Sequence, residues 1–189
     1  MTPTDGPAYV FDPGSLCLEL LITGGPGEFA RWEALHEPED LAAWLATCGL
    51  RLNRSRIHVT TEELRAVRHT RDTLHHVLRA LPDRPAPKDV ALINAAAAHP
   101  PLVPRMSEDG RSTWAVPYTA AQALSEFARD AIDLLTGDHV HRVRECAAHD
   151  CRLLFVDTSR PNRRRWCSMD RCGNRAKVRA LRERRTEDR

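Results

Sequence analysis

Residues 146–175 read CAAHDCRLLFVDTSRPNRRRWCSMDRCGNR. Cys146 and Cys151 enclose four residues, Cys167 and Cys172 enclose another four, and fifteen lie between the pairs. A structural Zn2+ takes four thiolates tetrahedrally at about 2.3 Å, and two matched pairs can each supply two ligands from a turn. Soft sulfur disfavours Mg2+ and Ca2+; iron fits the donors, but nothing beside them suggests redox chemistry. The spacing therefore predicts one structural zinc ion on Cys146, Cys151, Cys167 and Cys172. His149 is an alternative ligand that four cysteines make unnecessary. Four protein ligands leave no coordination position for water or substrate, which argues against a zinc hydrolase.

Within this stretch Leu153–Val156 is a strand-like apolar run, and Asp157-Thr158-Ser159 with Pro161-Asn162 is turn chemistry. Arg163–Trp166 then leads back to Cys167, which predicts a zinc-clamped hairpin. Gly173 permits close or left-handed backbone geometry, and Asn174 is expected to cap a helix over 175–185. In that helix Val178 and Leu181 form a small apolar stripe, while Arg175, Arg179 and Arg182 recur at i, i+4 and i+7. Arg164, Arg165, Asn174, Arg175, Lys177, Arg179, Arg182 and Arg185 are the candidate nucleic-acid contacts, through phosphates first and base edges second. Trp166 reads as the core of a small module rather than a stacking platform. Asp157 and Ser159 read as structural.

The charge distribution points the same way. The chain has 28 basic and 26 acidic residues. Residues 1–140 hold 13 basic and 19 acidic, net −6, and residues 141–189 hold 15 and 7, net +8. Four thiolates on Zn2+ add a formal −2, so the loaded segment stays near +6. Such asymmetry suits a nucleic-acid-facing module beside an acidic partner domain; the competing reading is a solvated surface. DNA is the expected partner and RNA the second. Arginine supplies all but two of the cations, Lys88 and Lys177.

At 189 residues and 42% apolar, the chain can build one or two globular domains. Met1–Val10 lacks a basic n-region and an apolar h-region, and no run approaches the ~18 uncharged apolar residues of a membrane span. The expectation is a soluble cytoplasmic protein in a reducing compartment, without membrane association, which also favours metal over disulfides. Ser15–Thr23 reads as a buried helix, and Gly24–Gly27 is a turn with neither P-loop nor dinucleotide spacing. Pro38–Ala46 is helical with Leu41, Trp44 and Leu45 on one face. Thr60-x-x-Glu63 and Thr119-x-x-Gln122 are capping boxes, the first ahead of Leu64, Val67, Leu74, Val77, Leu78 and Leu81, the second ahead of a helix stopped at Gly137. Pro87–Ala98 supplies another helix, and Leu102–Arg105 with Ser112–Pro117 a short hairpin. His75-His76 and His139-x-His141 read as ordinary histidines, Cys17 and Cys48 as small buried hydrophobes. No G-x-S-x-G elbow or H-E-x-x-H motif occurs, so no enzyme is expected.

Cys172-Gly173-Asn174-Arg175 spells CGNR, and with LLFVDTS (153–159) and RRWCSM (164–169) the stretch 142–185 resembles the CGNR zinc-finger family. LCLELLIT followed by EDLAAWL resembles the opening of the helical domain, ABATE-type, that precedes this finger in stress-induced transcription regulators; Ile22-Thr23 stands where that pattern commonly has Asn-Thr. The resemblance implies zinc on the same four cysteines and a nucleic-acid-binding role in bacterial transcription control. The expected fold is mainly α with a small β component: a helical regulatory or sensing domain over 1–140 with a short hairpin, a treble-clef- or ribbon-like α+β zinc module over 141–185, and a flexible tail at 186–189. Homodimerisation and an unidentified small-molecule effector are further expectations. The alternative function is a zinc-stabilised protein-interaction adaptor.

Overall fold

The computed structural model describes residues 11–187, without the side chains of Glu183 and residues 185–187. The first apolar run folds as α1 (Leu16–Leu20) and tightens into a 3-10 turn over Leu21–Thr23. Its exposed N–H end is closed from far along the chain: an Asp130 oxygen accepts from Ser15 Oγ at 2.5 Å and Cys17 N at 2.7 Å. In α2 (Pro38–Leu45), the Asp40 carboxylate accepts from the N–H groups of His36 and Glu37. Both capping boxes form. Thr60 Oγ1 accepts from Glu63 N and the Glu63 carboxylate from Thr60 N ahead of α3 (Thr61–Arg79); Thr119 and Gln122 repeat this ahead of α5 (Ala120–Thr136). Each such cap stabilises its helix by about 1 kcal/mol.

Between them lie α4 (Pro87–Ala97) and the antiparallel hairpin of β2 (Pro104–Met106) and β3 (Ser112–Trp114). A parallel bridge joins β1 (Ile57–His58) to β4 (Tyr118–Thr119) and sets the start of α3 beside that of α5. It is too short to leave a periodic signal in the sequence. The C-terminal segment contains β5 (Val143–Glu145), β6 (Leu154–Val156), a π-turn over Met169–Gly173 and α6 (Asn174–Glu187). Cys146 and Cys151 come from the turn closing the β5–β6 hairpin, Cys167 lies just before the π-turn and Cys172 within it, ahead of α6.

Two local expectations are corrected. β6 pairs antiparallel with the upstream β5, in the register Val143↔Val156 and Glu145↔Leu154, and not with the segment returning to Cys167. The cause is Asp157, which is fully buried: its carboxylate accepts from Ser159 N, Ser159 Oγ and Arg164 N, winding the chain into a loop where a second strand would start. Asn174 is not the helix cap. It lies inside the helical run at φ −66° and ψ −41°, behind the π-turn, and its Nδ2 donates to Asp170 O at 3.5 Å.

The core has three parts. Leu41, Leu45, Leu64, Val67, Leu124 and Phe127 belong to the first, with the Trp44 ring 5.3 Å from that of Phe127. The second gathers Leu18, Leu74, Val77, Leu78, Ile93 and Ala131 with Leu154 and Val156 of β6. The third surrounds the cysteines, with Phe155 at its centre and Trp166 and Phe11 packed against it. Successive strand side chains point to opposite faces, so β6 gives Leu154 and Val156 to the helical core and Phe155 to the cysteine cluster. Cys17 and Cys48 are buried in the helical core, as their small apolar character suggested.

Candidate metal centre, basic helix and adjoining cavity

The hairpin turn carries Cys146 and Cys151, and the loop wound on Asp157 returns Cys167 beside them. The π-turn then brings Cys172 to the other three. The four Sγ atoms lie within 4.8 Å of one another. Cys151 and Cys167 are 3.5 Å apart and Cys167 and Cys172 3.6 Å, far beyond a disulfide bond of about 2.05 Å and close to the ~3.8 Å edge of a tetrahedral zinc tetrathiolate. The donor set and spacing therefore fit one zinc ion. The electrostatics fit as well. Sulfur contacts, with Cys151 first and then Cys167, hold the Cys146 thiol well below its ordinary range, and the contact with Cys146 in turn raises Cys151 and Cys167. Four sulfurs this close cannot all ionise without a cation among them, and Zn2+ supplies that charge.

Gly173 is not in left-handed geometry, and a Cβ there would meet Met169 Sδ at 2.6 Å, the end of a half-exposed flexible side chain that can shift. Around this centre the candidate nucleic-acid residues separate into two groups. Arg164 turns inward, with Nε donating to Trp166 O at 2.9 Å, a terminal nitrogen donating to Cys167 O, and the guanidinium 4.4 Å from the Phe155 ring. Arg175 is partly exposed but committed to Asp150 by paired bonds of 2.9 and 3.1 Å, with Cys172 Sγ at 3.5 Å. Arg165, Asn174, Lys177, Arg179 and Arg182 are exposed, the last four along α6. Arg165 lies 5.0 Å over the half-buried Trp166 ring. Arg185 belongs to the same helix, but its side chain lies outside the described residues.

The seam between the helical core and the cysteine cluster encloses a cavity of about 50 Å³. One wall is Leu18, Ile22, Phe29, His75 and Arg79; the other includes Cys151, Arg152, Leu153, Arg171 and Arg175. His75 is buried, and a Cβ at Gly25 would lie 2.6 Å from its ring, so the glycine turn is shaped to admit the imidazole. Arg79 stacks 4.2 Å over Phe29 and bridges to Glu145 and to Arg152 O. No motif in the sequence marks this wall. Arg71, His75 and Arg79 recur every four residues beside the apolar stripe of α3, but Arg68, Asp72 and His76 do the same on the more exposed side, so the spacing alone does not single out the wall.

The family described as "Putative stress-induced transcription regulator" (ABATE) matches residues 14–138, and the CGNR zinc finger family matches residues 142–185. No curated protein matches the chain.

Proposed function

We propose, from the premise that the chain belongs to the ABATE family and carries a CGNR zinc finger, that it is a transcription regulator binding DNA through α6. The observation that supports this most is the surface of α6. Asn174, Lys177, Arg179 and Arg182 are exposed along a helix whose first nine residues contain no acid, directly after the last zinc ligand. Cations on a helix can track phosphates, and a rigid zinc-held base fixes the angle at which the helix is presented. In this reading the zinc is structural and the protein is not an enzyme. The helical domain receives an effector or mediates assembly, and the protein acts in the cytoplasm. Among the described residues no helix is long and apolar enough to cross a membrane.

The test is binding of zinc-loaded protein to a random duplex library across salt concentrations, with an RNA pool in parallel. Enrichment of duplex motifs above a salt-dependent background is expected. Arg179→Ala with Arg182→Ala should weaken binding across sequences and flatten the salt slope by about 0.9 per lost phosphate contact. An unchanged slope removes α6 from the footprint. A second reading, a protein-interaction adaptor, draws on Val178 and Leu181, which stand 48% and 47% exposed on the same helix. Absence of binding to either pool, with a protein partner retained after the basic residues are neutralised, would favour it.

A further inference from the structure

The cavity at the seam has features that packing alone does not require. Ile22, Phe29 and Trp32 border it yet remain half-exposed, so apolar surface is left uncovered where two parts of the protein meet. Arg79, Arg152, Arg171 and Arg175 are among its lining residues with one acid, Asp150, whose carboxylate already holds Arg175. Glu145 holds both Arg79 and Arg152 from outside this lining, and Glu28 adds a 3.1 Å pair to Arg152. The enclosed space admits about four water-sized groups by the usual allowance of 10–15 Å³ each, the size of a carboxylate head.

We propose that this cavity binds a small organic monocarboxylate with an apolar or aromatic body, and that Arg175 transmits its occupancy to α6. The guanidinium fork matches a carboxylate in two parallel hydrogen bonds. The apolar body lies along Ile22, Phe29 and Trp32. Polyanions such as phosphate are disfavoured, because Glu28, Glu145, Asp150 and the zinc thiolates stand close by. Arg175 is the second residue of α6 and is held between Asp150 and Cys172 Sγ. A bound carboxylate competes with Asp150 for that guanidinium and so acts on the base of the helix. The coupling to DNA rests on the reading of α6 given above; the binding site does not.

Calorimetry on the zinc-loaded full chain separates the two. The probes are benzoate, phenylacetate and hexanoate, with benzamide as the neutral counterpart of benzoate. At least one carboxylate should bind once per chain with Kd of about 1 mM or tighter, and benzamide should bind about tenfold more weakly than benzoate. Ile22→Trp fills the cavity from the helical wall and Leu153→Phe from the zinc-module wall; either variant that keeps its zinc and its thermal transition should lose carboxylate binding. No saturable binding by about 10 mM, equal binding of benzamide, or binding retained in a folded cavity-filled variant overturns the site. Carboxylate binding that leaves duplex affinity within about twofold overturns the coupling through Arg175. Carboxylate binding by a protein with no nucleic-acid affinity leaves the site standing and sinks the DNA-binding reading instead.

Discussion

His75 is 3% exposed, its Nε2 lies 2.8 Å from Gly24 O and 3.2 Å from Leu21 O, and Phe29 stacks on its ring at 4.7 Å. Two carbonyl neighbours assign the proton to Nε2. Burial depresses the pKa of His75 below its ordinary 6.5; the charges of Arg79 and Arg71 add to the depression and the carbonyl bonds oppose it. The unfolded chain therefore takes up a proton that the folded one refuses. The resulting stability is complete above about pH 6.5 and is lost as pH falls through and below that value. His75→Gln keeps an N–H donor but cannot titrate. Urea unfolding of the zinc-loaded proteins should give a wild-type stability that falls more steeply with acid than the variant's, by up to about 1.4 kcal/mol per pH unit; parallel profiles would reject this account. One turn earlier Arg71, 1% exposed, makes paired bonds of 2.8 and 2.7 Å to Glu33 and donates to Asp72 at 3.0 Å. Burial works to raise the Glu33 pKa, but the Arg71 hydrogen bonds, the Leu35 N–H and the Arg71 charge together lower it. Glu33→Ala leaves a buried guanidinium short of its counter-ion and should cost about 3–5 kcal/mol in denaturant unfolding with zinc content unchanged; a loss within the range of a surface substitution would show that Asp72 and Thr23 suffice. The pairing was not legible in the sequence, because Glu33, which follows the 3-10 segment Gly27–Trp32, meets Arg71 only when that segment folds back onto α3.

At the scale of elements, the features carried by adjacent residues were readable and those closed by distant ones were not. Both capping boxes, the Pro-opened α2 and α4, the hairpin at 104–114 and the two cysteine pairs all sit where local chemistry placed them. The partner of β6 did not, since an apolar strand flanked by turn residues on one side and a cysteine on the other can close a hairpin either way. Asp157 decides it by consuming Ser159 N, Ser159 Oγ and Arg164 N in a single buried carboxylate. The loop from Asp157 to Cys167 is thus held at its base by an acid rather than by strand pairing. Asp157→Ala should cost about 3 kcal/mol, the scale of hydrogen bonds to a charged group, and should weaken zinc because Cys167 loses its placement. Competition with a chromogenic zinc chelator measures this directly. An undiminished affinity would mean that Ala147 N to Arg165 O, at 2.9 Å, and the Arg164 contacts hold the loop without the carboxylate.

For the whole molecule, the charge divides into an acidic N-terminal and a basic C-terminal part, and the two family models match residues 14–138 and 142–185, yet the packing crosses between them. Leu154 and Val156 are buried with Leu74, Val77, Leu78 and Ala131, while Phe155 between them is buried among the cysteines. A three-residue strand alternating between two cores ties their stabilities together, since neither face of β6 can leave without exposing the other. Structural zinc is part of the folding free energy of its module. Removing it should release β6 and uncover one side of the second cluster, so the damage reaches α3 and α5. Thermal unfolding followed by circular dichroism should then show a lower transition for the helical signal as a whole after chelation, and zinc should restore it. Leu154→Ala separates this from a local effect. With the cysteines intact and zinc bound, truncating that side chain should still destabilise the helical part by about 2–5 kcal/mol, as for other buried leucines. Val178→Ala, on the half-exposed stripe of α6, should leave the transition almost where it was. Chelation that removed only the α6 contribution to the helical signal and left the main transition in place would mean that β6 stays docked without zinc. The two parts would then fold as independent units, and a ligand at the seam would have no rigid path from one to the other.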